Sequence, residues 1–281
     1  MQKVCKSCRY HAPLKVDSEG EIDIPHLHKT LIRHERHDTL KPLVCIEAAN
    51  SEIGTINDVL TIGYIVHRHN GILVVDATGY IPSYQINMKL WKNYIDVLTF
   101  SGHKFHSLKG IGVLWKNRNI ELKPLVYGSQ EQGLIGGTEN ILGIASLGKA
   151  IEEYDYFSIS SSNRDYVYNY IINNISNCYL VGSPIESGNR LPRNLYVCFK
   201  GIDGEALMIL LDMEGIQVST GSACNSEDLS PSTALSAIGM NKQDIHSCIR
   251  LTFSGNETKE DLDYVCIKIT KCVEQLRNFT K

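Results

Sequence analysis

Hydrophobic and polar positions along this chain switch between two periods, and the switches predict its elements. Residues 42–48 (PLVCIEA) are a short apolar run of strand length, 57–70 carry apolar residues at helical spacing, and 71–76 (GILVVD) are a second apolar run closed by a carboxylate. Strand, helix and strand in that order predict a βαβ unit. Residues 95–100 and 111–115 predict two further strands on either side of the glycine-containing loop SGHKFHSLKG. Ligands of open α/β sheets bind beyond the carboxyl ends of the strands, which is where Asp76 and this loop fall.

The pattern changes near residue 140. A long helical region is predicted over 141–175, interrupted at the Ser-rich stretch 158–163 (SISSSN). Short strands over 179–181, 194–198, 216–219 and 250–253 are then interspersed with helices over 204–213 and 259–277. The expected organisation is an α/β large domain over 1–140 and a smaller α+β domain over 141–281, with no internal repeat.

Composition narrows the classes. Of 281 residues 43% are hydrophobic and 21% charged, an ordinary balance for a chain that buries a core. With 28 Lys+Arg against 31 Asp+Glu the net charge is −3, and no cationic block offers the footprint that phosphate backbones require, so no direct nucleic-acid partner is expected. No run approaches the ~20 apolar residues of a membrane span, and no targeting segment is evident, so a cytoplasmic protein without a membrane partner is expected. Nine cysteines, an odd number spread over the whole chain, point to free thiols in a reducing compartment. Cys5 and Cys8 form a CxxC without a second pair at ligand spacing, and the His-rich segment 26–37 is predicted as a solvated helix, so no metal is expected.

Six segments carry candidate chemistry: ANSEIGT (49–55), VVDAT (74–78), SGHKFHSLKGIG (101–112), GSQEQGLIGGTEN (128–140), STGSACNS (219–226) and SCIRLTFS (247–254). Each alone has an ordinary structural explanation. In this order and at these separations, the set resembles cysteine desulfurases, pyridoxal-phosphate enzymes of the class V aminotransferase family. The resemblance implies a fold-type-I α/β protein with a mainly parallel sheet in its large domain. It also implies pyridoxal 5′-phosphate as cofactor, L-cysteine as substrate, and a homodimer. Lys104 matches the residue that carries the cofactor and Asp76 the acidic partner of its ring nitrogen. Ser101 and His103 match phosphate ligands, His103 also a proton carrier, and Thr138 the residue that reaches the phosphate of the other subunit. Arg250 matches the residue that pairs the substrate carboxylate, with Ser51 beside the bound substrate.

Cys224 matches the nucleophile that takes sulfur as a persulfide for delivery to an acceptor protein, such as an iron–sulfur scaffold or a thiolation enzyme. Ser51, Gly79 and Ile135 depart from the family's usual Asn, Gln and Arg. The family pattern also begins upstream of Met1, so the resemblance implies a large domain incomplete at its N-terminus. Two other readings fit the same residues. One is a truncated, catalytically weak or silent homologue acting as a sulfur-relay or partner-binding subunit. The other is a different class V aminotransferase or lyase, which needs Lys104 and Asp76 but no loop thiol.

Overall fold

Three parallel strands and one antiparallel strand form the sheet that positions the first set of predicted site residues. In this computed structural model, residues 11–37, 40–156, 159–221 and 232–279 are described. Helix α1 (Ile24–His37) comes first and buries Leu27 and Leu31, as expected of a solvated helix with one apolar face. The chain divides into two compact units, one built from His28–Ala48 and Asp58–Tyr156, the other from Pro13–Leu27, Ala49–Asn57 and the described residues after 158.

In the first unit β1 (Leu43–Glu47), β2 (Ile72–Asp76), β3 (Val97–Ser101) and β4 (Gly112–Lys116) lie in that order. The pairs β1–β2 and β2–β3 are parallel, and β4 runs antiparallel to β3. Helix α2 (Val59–Arg68) makes the crossover from β1 to β2. Its start is fixed by Asp58, whose side chain accepts the Thr61 N–H, and it buries Val59, Ile62 and Val66. A Cβ on Gly63 would lie 2.2 Å from the Tyr94 carbonyl oxygen, so this helix can approach so closely only with glycine there. Asp96 ties the layer together, taking the Leu73 N–H at 2.8 Å and His67 Nε2 at 2.9 Å. A short helix α3 (Met88–Trp91) precedes β3.

Helix α4 (Ile141–Glu153) belongs to this unit, which therefore reaches Tyr156 rather than ending at residue 140. The reason is packing: Leu147 is buried with Ile81 and Phe105, and the Tyr154 hydroxyl donates to the Pro82 carbonyl at 2.6 Å. The predicted helical region 141–175 does break at its serines, giving α4 and then α5 (Ser162–Asn174).

The second unit has an antiparallel sheet in the order β5 (Cys178–Leu180), β6 (Asn194–Phe199), β7 (Cys248–Thr252). Leu195, Val197 and Phe199 face a core shared with α5, α6 (Gly204–Met213) and, further along the chain, the long C-terminal helix Lys259–Phe279. Tyr196 and Cys198 point the opposite way, toward Ile53, Leu235 and Ile245. These last two sit on the short helices α7 (Thr233–Ala237) and α8 (Lys242–Ile245), and Lys259–Phe279 is α9.

The strand predicted over 216–219 does not form. Gly215, at φ 74°, closes α6, and the Ile216 N–H bonds back to the Leu211 carbonyl at 2.9 Å, so the first residue of that run completes the helix end. Only Ser219 makes an isolated bridge, to Arg250.

Candidate active site

Parallel pairing brings the first group together. Asp76 closes β2 in register with Thr99, two residues before Ser101 closes β3, so both side chains leave the sheet at its carboxyl end. Half-buried Asp76 accepts the Thr78 N–H on Oδ1 at 2.9 Å, and its second oxygen takes no hydrogen bond among the described residues.

Ser101 is the N-cap of a single 3-10 turn, Gly102–Phe105, and its hydroxyl makes no capping bond. Phe105 anchors the turn from inside, 1% exposed, with its ring 5.9 Å from Phe100 and 6.0 Å from Tyr154. A Cβ on buried Gly102 would sit 3.0 Å from both Leu147 and Ser107, so the turn lies tight against the unit. With Gly102 and Phe105 inward, His103 and Lys104 are exposed, and neither side chain has a hydrogen bond or ion pair among the described residues. His106 ends the turn at φ 73°, its N–H bonded to the Gly102 carbonyl.

Thr138 is exposed and makes no hydrogen bond to Asp76, Ser101, His103 or Lys104. It follows a tight loop bridged from Gln130 to Ile135, in which Glu131, Gln132 and Gly133 all have positive φ.

The second group lies in the second unit. Arg250 sits in mid-β7 opposite Tyr196, its backbone doubly bonded to Ser219 at 3.0 and 2.6 Å. Its guanidinium donates from Nη1 to the Ser51 carbonyl at 3.0 Å, the one side-chain hydrogen bond it makes among the described residues. Ser51 and its carbonyl are held by the turn 50–54. Asn50 Oδ1 accepts the N–H groups of Glu52 and Ile53, both at 3.0 Å, and Asn194 Nδ2 donates to the Glu52 carbonyl at 3.1 Å.

Two residues not singled out in the sequence complete this corner. The buried Tyr196 hydroxyl donates to Glu52 Oε1 at 3.3 Å, and burial together with that carboxylate pushes the phenol far above its ordinary value. A Cβ at Gly221 would lie 2.1 Å from Glu52 Oε1 and 2.3 Å from the Tyr196 hydroxyl. A tyrosine in the strand run NLYVCF reads as an ordinary β-former, so nothing in the local pattern singles it out.

Cys224, Cys5 and Cys8 lie outside the described residues. Among the described residues no group of three or more His, Cys, Asp or Glu could hold a metal ion, and no helix is long and apolar enough to cross a membrane.

A model of the family described as aminotransferase class-V matches residues 1–265. The chain belongs to the class V aminotransferase family. Among family relatives it is 37% identical over 273 residues to "Cysteine desulfurase IscS" of Dictyoglomus turgidum, covering 95% of this chain and 66% of the relative. It is likewise 37% identical over 274 residues to "Cysteine desulfurase IscS" of Methanosarcina thermophila, covering 95% and 65%. The chain therefore spans about two thirds of the length of these curated relatives. Among solved structures, a "NIFS-LIKE PROTEIN" superposes with a TM-score of 0.82 at 30% identity, covering 98% of this chain and 71% of that one.

Class V enzymes work with pyridoxal 5′-phosphate, and the carboxyl end of β2 and β3 fits that group. A carboxylate with an uncommitted oxygen, a capping-position hydroxyl that caps nothing, an imidazole and an unpaired amine are the donor set that a cationic ring nitrogen, a phosphate and an aldehyde require.

Proposed function

We propose that this chain provides the cofactor-binding and sulfur-accepting residues of a pyridoxal-phosphate-dependent cysteine desulfurase. The observation that carries the reading is the uncommitted set Asp76, Ser101, His103 and Lys104 at one end of the parallel strands, in a chain 37% identical to proteins named cysteine desulfurase. Lys104 would hold the cofactor through its amine, Asp76 would keep the ring nitrogen protonated, and Ser101 and His103 would donate to the phosphate, with Thr138 serving the partner subunit of a homodimer. When bound, pyridoxal phosphate supplies an electron-accepting ring next to the amino acid's Cα.

The remaining steps belong to protein side chains. Arg250, tied by one N–H to Ser51, keeps the rest of its guanidinium fork for the carboxylate of L-cysteine. Lys104 and His103 move protons. The thiolate of Cys224 attacks the substrate sulfur, forming an S–S bond as the C–S bond breaks. The electron pair stays on the substrate carbon, which takes up a proton and leaves as alanine, while the persulfide on Cys224 passes its outer sulfur to an acceptor protein in the cytoplasm. The test is alanine release from L-cysteine by the protein supplied with pyridoxal phosphate. The reading expects release that disappears in Cys224→Ala, whereas undiminished turnover in that variant would favour another class V aminotransferase or lyase.

A further inference from the structure

Two thiols outside the candidate active site face each other across the sheet of the second unit. Cys198 on β6 and Cys248 on β7 are direct partners in the antiparallel register. The next rung carries a ladder bond, Phe199 N–H to the Ser247 carbonyl at 2.8 Å. Bonded and unbonded rungs alternate, so Cys198 and Cys248 occupy a non-hydrogen-bonded rung, where opposed Cα atoms approach to about 4.5 Å. That separation lies within the range a disulfide spans.

Both sulfurs also converge on one atom, the Asp244 carbonyl oxygen, at 3.6 Å from Cys198 and 3.2 Å from Cys248. Asp244 lies on α8, and its carboxylate takes the Tyr179 hydroxyl at 2.9 Å, which fastens that helix over the pair. No other described cysteine is placed this way: Cys45 is opposed by Val74, Cys178 by Phe199, and Cys266 and Cys272 lie along α9. The Cys248 side chain supports negative charge on Cys198 and so holds that thiol below its ordinary value, while the same contact and burial push Cys248 up.

We propose that Cys198 and Cys248 form a redox-modification site that closes to a cross-strand disulfide in exchange with a low-molecular-weight disulfide. The Cys198 sulfur attacks one sulfur of the small disulfide, whose S–S bond breaks and releases one small thiolate. The Cys248 sulfur then attacks Cys198, displacing the second small thiolate. The two protein thiols lose two electrons, the small disulfide gains them, and the two thiol protons end on the two released small thiols. The adjacent unbonded rung is Tyr196–Arg250, so this bond would form beside the arginine of the candidate active site.

The test uses the full chain incubated with glutathione disulfide, both without denaturant and in urea below the unfolding transition. Remaining thiols are then blocked with N-ethylmaleimide and the unreduced protein is mapped by peptide mass spectrometry. The expected result is one Cys198–Cys248 linked peptide pair, formed faster in urea because both sulfurs are buried, and absent after dithiothreitol. In Cys248→Ser, or Cys248→Ala should the serine variant not fold, Cys198 is expected to stop as a mixed disulfide with glutathione. Maleimide on both cysteines in both conditions, or linkage of either to a different cysteine, would overturn the proposal. None of these readouts depends on pyridoxal phosphate or on desulfurase activity.

Discussion

Arg250 reaches the main chain of Ser51, not its side chain: Nη1 donates to the Ser51 carbonyl at 3.0 Å. Ser51→Ala is therefore expected to leave kcat/KM for L-cysteine within about twofold. Arg250→Lys removes the planar fork and a charged hydrogen bond worth about 1.5–3 kcal/mol. At about 1.4 kcal/mol per tenfold, kcat/KM should fall roughly 10- to 100-fold, mainly through KM. Steady-state kinetics of the two variants check this, and equal losses in both would refute the assignment to the carbonyl.

Lys104 projects from a turn whose inward residues are Gly102 and Phe105. Addition of pyridoxal phosphate followed by borohydride is expected to fix one adduct per chain, at Lys104, by peptide mass spectrometry. Lys104→Ala should remove it without changing the urea midpoint, because the side chain has no partner among the described residues. An adduct scattered over many lysines would count against a built site.

At Gly221 a methyl group must displace the Glu52 carboxylate from the Tyr196 hydroxyl, at 2.1 and 2.3 Å respectively. A buried hydroxyl without its partner costs about 1–3 kcal/mol. Gly221→Ala should lose that much stability, and in Tyr196→Phe, where no hydroxyl is left to orphan, the same substitution should cost less. Urea unfolding of the four members of the cycle measures the coupling, and strict additivity would sink the explanation.

Burial by itself would raise Glu257, but hydrogen bonds from Asn163 and from the Ser254 N–H outweigh it and bring the carboxyl down to about 2. A carboxyl depressed in the folded state adds stability that is fully present above its unfolded value, 4.5, and is lost as pH falls from there toward about 2. Glu257→Gln should therefore lower stability at pH 7 and flatten the acid limb of the stability curve over that interval. Unfolding free energies of both proteins from pH 7 to pH 2 test it.

Much of this was legible beforehand because it is periodic. The runs PLVCIEA and GILVVD became β1 and β2, and the helical spacing between them became α2. Three things were not. Helices α7 and α8 are too short to show a period. The assignment of α4 to the first unit rests on Leu147 meeting Ile81 and Phe105, a tertiary contact with no local sign. The run IQVS alternates like a strand, yet Gly215 before it turns Ile216 back onto α6. At the candidate site, Asp76, Lys104 and Arg250 were named through the resemblance carried by the order and separation of six segments, since each residue alone has an ordinary structural explanation. The neighbourhood of Arg250, with Glu52 and Tyr196 beside it, depends on register between distant segments and could not be read from spacing.

Strand β6 is bonded to β5 on one side and β7 on the other, and all six of its residues are buried. Its amides therefore have no local route to solvent: no edge to fray and no exposed face to admit water. Isotope exchange at Leu195 to Phe199 should proceed only by opening of the whole second unit, which makes these protons a built-in gauge of that unit's global stability. Any partner, ligand or oxidation event that tightens the second unit should slow these amides together, by the same factor.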